Sequence, residues 1–118
     1  MLRVLVTGGR DFADRDLLFD GLDELHQERG ISLIIHGAAK GADSLAEEWG
    51  KARGVETLPC PADWKRHGRG AGSARNKQML IDHKPDVVVA FPGGKGTANM
   101  VEIAEKAGVE VLVASAGE

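Results

Sequence analysis

Val87-Val88-Val89-Ala90-Phe91-Pro92-Gly93-Gly94-Lys95-Gly96-Thr97 is the stretch whose reading decides the fold. An unbroken apolar run marks a strand covered on both faces, and here it runs directly into a glycine-rich turn followed by helical spacing. Such a strand-to-helix turn is a candidate anion cradle. Glycine has no Cβ, so a ligand can lie directly against the main chain, and the first turn of a helix carries N–H groups without intrahelical acceptors. These donors and the positive end of the helix dipole converge on one point, which suits a phosphate.

Working outward, four further apolar runs of strand length occur at Leu2 to Val6, Ser32 to Ile35, Val55 to Leu58 and Val109 to Ala114. Helical patterns lie between them. Leu18, Leu22 and Leu25 form one stripe, with Asp14 or Asp16 to cap its start and Gly30 its end. Ala42, Leu45, Ala46 and Trp49 form a second, closed by Gly54. Ser73 can cap a third helix through Met79, Leu80 and His83, stopped before Pro85, and Thr97 a fourth, with Val101, Ala104 and Ala107 on one face. Strands alternating with helices, joined by right-handed crossovers, predict a three-layer α/β sandwich of Rossmann-like type on a five-stranded parallel sheet. The one long irregular stretch expected is Pro59 to Gly72.

The 118 residues, 42% apolar and 28% charged, suit a single domain over 1–118 with a real core. The formal net charge of −3 argues against whole-surface attraction to nucleic acid or to an anionic membrane. Charge is nonetheless uneven. Lys65, Arg66, Arg69, Arg75 and Lys77 lie between Trp64 and Ile81 with no acidic residue among them, so an anionic ligand is expected there. Cys60 is the single cysteine, which fits a reducing compartment. No apolar run approaches ~18 residues, and the first residues enter a strand pattern at once, so a soluble, cytoplasmic protein is expected.

In open α/β sheets ligands sit beyond the carboxyl ends of the strands, and the polar junctions fall there. They are Thr7-Gly8-Gly9-Arg10-Asp11, the run His36-Gly37-Ala38-Ala39-Lys40-Gly41-Ala42-Asp43, and the Pro92 to Thr97 turn. Neither G-x-G-x-x-G nor the Walker pattern is satisfied, so neither an ordinary dehydrogenase nor a P-loop NTPase is indicated. Asp43 reads as a helix-capping carboxylate or as an acceptor for a ribose hydroxyl. Arg10 reads as a bidentate phosphate clamp, or as a solvated or Asp11-paired guanidinium. Arg75 and Asn76 open the third helix, where a guanidinium and a carboxamide suit a phosphate or ribose. Trp64 can stack on a base or pack against its neighbours. The four histidines show no metal spacing, and His36 at the end of the second strand reads as a satisfied structural histidine. No metal and no cofactor are expected.

Taken together, Gly8 to Phe12, His36 to Asp43, Trp64 to Asn76 and Pro92 to Thr97 resemble the SLOG superfamily over nearly the whole chain. That group joins the Lonely Guy phosphoribohydrolases, the Smf/DprA Rossmann domains and small YspA-related proteins, to which this sequence is most similar. The resemblance implies a nucleotide or nucleotide-derived ligand, with phosphate on Gly93, Gly94, Gly96 and Thr97. Further contacts are implied from Gly8, Gly9, Arg10, Gly37, Gly41, Asp43, Arg75 and Asn76. It also implies a homo-oligomer, since Lonely Guy relatives are dimeric. In Lonely Guy enzymes Pro-Gly-Gly-x-Gly-Thr continues x-x-Glu, whose carboxylate assists cleavage of the N-glycosidic bond together with an upstream arginine. Here Arg75 matches the arginine, but Met100 occupies the glutamate position. Glu102 lies two residues on, roughly 200° around a helix.

Three readings follow. The first is a module that binds a nucleotide derivative for sensing or processing. The second is a phosphoribohydrolase, with Arg75 and either Asp43 or Asp11 as the catalytic groups. The third, disfavoured by the acidic net charge, is a contact to single-stranded nucleic acid through the Lys65 to Lys77 cluster, in the manner of Smf/DprA.

Overall fold

In the computed structural model, which describes residues 1–114, the chain runs β1 (Leu2–Thr7), α1 (Arg15–Arg29), β2 (Ile31–His36), α2 (Ala42–Arg53) and β3 (Glu56–Pro59). It continues through α3 (Trp64–His67), a 3-10 turn (Gly68–Gly70), α4 (Ala71–His83), β4 (Val87–Ala90), α5 (Lys95–Lys106) and β5 (Glu110–Val113). The strands form one all-parallel sheet of order β3-β2-β1-β4-β5. The last four positions of the expected single unit, 115–118, lie outside the described residues.

The unbroken apolar runs have a direct explanation in the two cores. Successive strand side chains point to opposite faces. Val4, Val6, Ile34, Val87 and Val89 therefore meet Leu18, Leu22 and Trp49 of α1 and α2, while Leu5, Ile35 and Val88 meet Met79, Met100 and Ala104 of α4 and α5. Burying each such Leu, Ile or Val contributes roughly 1.5–3 kcal/mol over leaving it in water. No helix among the described residues is long and apolar enough to cross a membrane.

Local chemistry sets the helix ends. Asp14 caps α1 by accepting from the Leu17 amide at 3.0 Å, and α1 closes at Gly30 with φ of 75°. α4 ends because Pro85 disfavours the right-handed helical conformation at the residue before it, and Lys84 adopts the left-handed one, φ 43° and ψ 63°.

Several expectations are corrected. Pro59 to Gly72 is not irregular throughout. Asp63 caps the one-turn α3 by accepting from the Arg66 amide, and the chain then passes through the 3-10 turn into α4. Ser73 and Thr97 are not caps; each is the third residue of its helix, and the preceding residues, Gly70 and Gly94, carry no side chain to cap with. The buried stripe of α5 is Met100, Ile103 and Ala104, with Ala107 exposed at the helix end. β3 and β5, at the two edges of the sheet, are only partly covered.

Candidate functional site

The direction of winding reverses between β1 and β4, which are neighbours in the sheet although far apart in the chain. From β1 the chain leaves toward α1 on one face, and from β4 toward α5 on the other, so their carboxyl ends part and leave a crevice. The two turns are tied together. Gly9 donates its amide to the Pro92 carbonyl at 2.9 Å, and Ala42, opening α2, donates to the Gly9 carbonyl at 3.2 Å. Packing here excludes side chains. A Cβ on Gly8 would stand 2.5 Å from the Ala42 Cβ, and one on Gly93 would stand 2.6 Å from the Gly9 nitrogen.

Gly94 and Gly96 behave differently. A Cβ at either position would meet no protein atom within 4 Å, although both residues line the cleft. Main chain is therefore bared on the cleft wall at the start of α5, where the amides of Lys95, Gly96 and Thr97 precede the first intrahelical bond, Ala98 N–H to the Gly94 carbonyl at 3.0 Å. The cleft encloses about 750 Å³, within the range of small-molecule sites. Its far wall is the start of α4, with Gly72, Ser73, Arg75 and Asn76. Arg10, Arg69, Arg75 and Lys95 face it against the carboxylates of Asp11 and Asp43, so positive charge prevails.

Arg75 joins the junctions. Its Nη1 donates to the Gly37 carbonyl at 2.5 Å and more weakly to the Cys60 carbonyl at 3.4 Å, and its Nε donates to Asn76 Oδ1 at 3.1 Å. Asn76 is buried and passes the network on, donating from Nδ2 to the Gly96 carbonyl at 3.2 Å and to Asn99 Oδ1 at 3.0 Å. The guanidinium is thus fixed between the loop after β2 and, through Asn76, the turn that opens α5. Burial pushes its pKa below the ordinary arginine value, with Asp43 opposing that shift. Arginine nonetheless remains charged at neutral pH.

Asp43 is neither a cap of α2 nor an open carboxylate. Its Oδ2 accepts from the amides of Gly37 at 3.1 Å and Ala39 at 3.2 Å, stapling the loop that precedes its own helix. Burial raises its pKa, against the lowering effect of these hydrogen bonds and of the Arg75 charge. His36 is structural, as read from the sequence. Its Nδ1 accepts from the Ala38 amide at 3.0 Å and its Nε2 lies 2.7 Å from Glu47 Oε1, which fits the neutral tautomer protonated at Nε2.

Of the ligand-contact, stacking and catalytic residues proposed from the sequence, all but Gly41 line this one cleft, whereas Lys65, Arg66 and Lys77 of the basic cluster do not. Gly41 sits behind it with φ of 74°, where a Cβ would run into the Gly9 and Arg10 carbonyls, so it shapes the backbone and does not line the cleft. Arg10 is not paired with Asp11; its guanidinium lies over the Trp64 ring, 5.6 Å from the centroid. Trp64 is not packed into the core and stands half exposed at the mouth. Asp11 is exposed. Met100, at the position of the Lonely Guy glutamate, is fully buried among Leu5, Ile35 and Val88, and Glu102 points to solvent, paired with Lys106 at 3.0 Å. Sequence reasoning missed Asn99, and it named Arg69 only as one of the basic cluster. Asn99 had a signal, since it lies three residues after Gly96 and so one helical turn along the same face.

A family model described as the YspA, cpYpsA-related SLOG family matches residues 2–67, which carry β1 through α3. The chain belongs to this family. Among curated relatives of this SLOG member, the Gene 61 protein of Mycobacterium phage D29 is 40% identical over 120 residues, an alignment spanning 95% of each chain. Among solved structures, MurG of Acinetobacter baumannii superposes with a TM-score of 0.59 over 94% of this chain at 13% identity. The SLOG chain spans 34% of that MurG chain, and the likeness is one of Rossmann-like fold.

Proposed function

We propose that this protein binds a nucleotide or nucleotide-derived phosphate ester, for sensing or processing, with the phosphate held by the Lys95, Gly96 and Thr97 amides and the sugar end toward Arg75 and Asp43. The observation that carries this reading is the contrast among the glycines: Gly93 is required by packing, whereas Gly94 and Gly96 leave backbone bare toward an open, positively charged cleft. Membership of the SLOG family and a Rossmann-like sheet with its crevice at the β1/β4 reversal support a nucleotide-related ligand.

The test is Gly94→Asp. The side chain enters open space and places a carboxylate at the N-cap of α5, which favours the helix while repelling a phosphate. Stability is expected to hold or rise, and the thermal stabilisation that AMP gives the unmodified protein is expected to vanish. An undiminished AMP effect in a folded Gly94→Asp protein overturns the assignment.

One observation favours a hydrolytic reading as well. Asp43 is a buried carboxylate whose pKa is raised by desolvation, beside Arg75, and such groups recur at catalytic sites. Against it, Asp43 Oδ2 is engaged by two amides, and the glutamate position holds Met100 in the core. Incubation with a panel of nucleoside monophosphates followed by chromatography decides: binding alone predicts no liberated base, whereas release abolished by Asp43→Asn establishes cleavage.

A further inference from the structure

Trp64 sits where a core has no use for it. The residue is 52% exposed, and no residue of α3 is buried. The turn of helix that presents it is self-contained, capped by Asp63 and closed by Gly68 at a φ of 54°. One face of the indole is nonetheless occupied. Arg10, from the turn after β1 and 54 positions earlier in the chain, lays its guanidinium 5.6 Å from the ring centroid, and both residues border the cleft. A flat aromatic face is thus held at the mouth of a cationic cleft, covered by an exposed, charged side chain of matching planarity.

We propose that Trp64 is the platform for an aromatic base, and that Arg10 is its exchangeable cover. This rests on the phosphate reading above. An incoming nucleotide supplies both replacements: its phosphate draws the Arg10 guanidinium inward as a second partner beside the α5 amides, and its base takes the vacated indole face. Neither group is left unsatisfied, because Arg10 trades a cation–π contact for a charge-assisted hydrogen bond and Trp64 trades a cation for a stacked ring. The ligand class is therefore a nucleotide carrying its base, in preference to a sugar phosphate or inorganic phosphate. Since stacking tolerates every base, discrimination among bases is expected to be slight.

The experiment compares AMP with ribose 5-phosphate by calorimetry and by tryptophan emission. Trp49 is fully buried, so emission changes report Trp64. The unmodified protein is expected to prefer AMP by ~10-fold or more, with emission quenched by AMP and unaffected by ribose 5-phosphate. In Trp64→Leu the preference should fall to near unity, and Trp64→Phe should restore most of it. Because α3 buries no side chain, these variants are expected to keep the melting temperature of the parent. Equal affinity for the two compounds in the unmodified protein, or a preference that survives Trp64→Leu, overturns the platform and leaves the phosphate reading standing. Failure of both compounds to bind overturns both.

Discussion

The Gly37 carbonyl accepts Arg75 Nη1 at 2.5 Å across 38 positions of sequence, and a Cβ on Gly37 would run into that same guanidinium. The amide of Gly37 meanwhile donates to Asp43, so this single buried residue joins the loop after β2 to both α2 and α4. Removal of the guanidinium leaves a buried carbonyl without its donor. Arg75→Ala is therefore expected to lower stability by about 1–3 kcal/mol, seen as a lower urea midpoint at unchanged slope, and to abolish AMP binding. Arg75→Lys should recover little of either, since an ammonium cannot serve Gly37 and Asn76 from one planar fork.

Gly96 and Gly93 should respond oppositely to alanine. Gly96 lies in the first turn of α5 with open space at its Cβ position, so Gly96→Ala is expected to stabilise by roughly 0.4–1 kcal/mol while weakening AMP binding through the methyl group placed on the cleft wall. Gly93→Ala forces a Cβ against the Gly9 nitrogen and the Thr97 hydroxyl. It should lower the melting temperature sharply. Thermal melts with and without AMP read both effects.

Acid sensitivity is expected to come partly from the α1/α2 face. Asp23 accepts Arg53 Nε at 2.7 Å and Nη2 at 2.9 Å, and Trp49 Nε1 at 2.8 Å. Hydrogen bonds from Arg53, then from Trp49, hold its pKa down at about 2, against an ordinary value of 3.8. A folded pKa below the unfolded one means the contribution is fully present above pH 4 or so and fades as pH falls through about 2. Asp23→Asn should be less stable than the parent at pH 6, and the gap should close between about pH 4 and pH 2. A gap that does not change with pH in urea titrations contradicts this.

Restoring the Lonely Guy glutamate should not restore a hydrolase. Met100→Glu buries a carboxyl among Leu5, Ile35 and Val88, where no partner awaits it, and is expected to cost on the order of 3 kcal/mol. Met100→Leu, close in volume, should cost less than about 1.5 kcal/mol. Denaturant melts of the two variants, with a search for liberated base in the first, check the expectation.

Much of the architecture was legible because it rests on local patterns. The runs Val4 to Val6 of β1 and Val87 to Ala90 of β4 are apolar at every position since each strand is covered on both sides, and Asp14 and Gly30 mark the ends of α1 where a cap and a positive φ are needed. α3 was hidden because a single turn has no period to detect; its evidence is only Asp63 and Gly68. The part played by Asp43 was hidden for another reason. A carboxylate early in a helix ordinarily caps it, and only the folded loop brings the Gly37 and Ala39 amides to the same oxygen first.

By itself the sequence determined the alternation of strand and helix, the parallel sheet and the gathering of polar, glycine-rich junctions at one edge, because burial and turn chemistry act on residues close together in the chain. Only the tertiary structure decided which glycines serve packing and which bare the backbone, that Gly41 stands behind the cleft, and that Arg10 covers Trp64. Those outcomes depend on what another junction, tens of residues away, places within a few ångströms. No local pattern carries that distance.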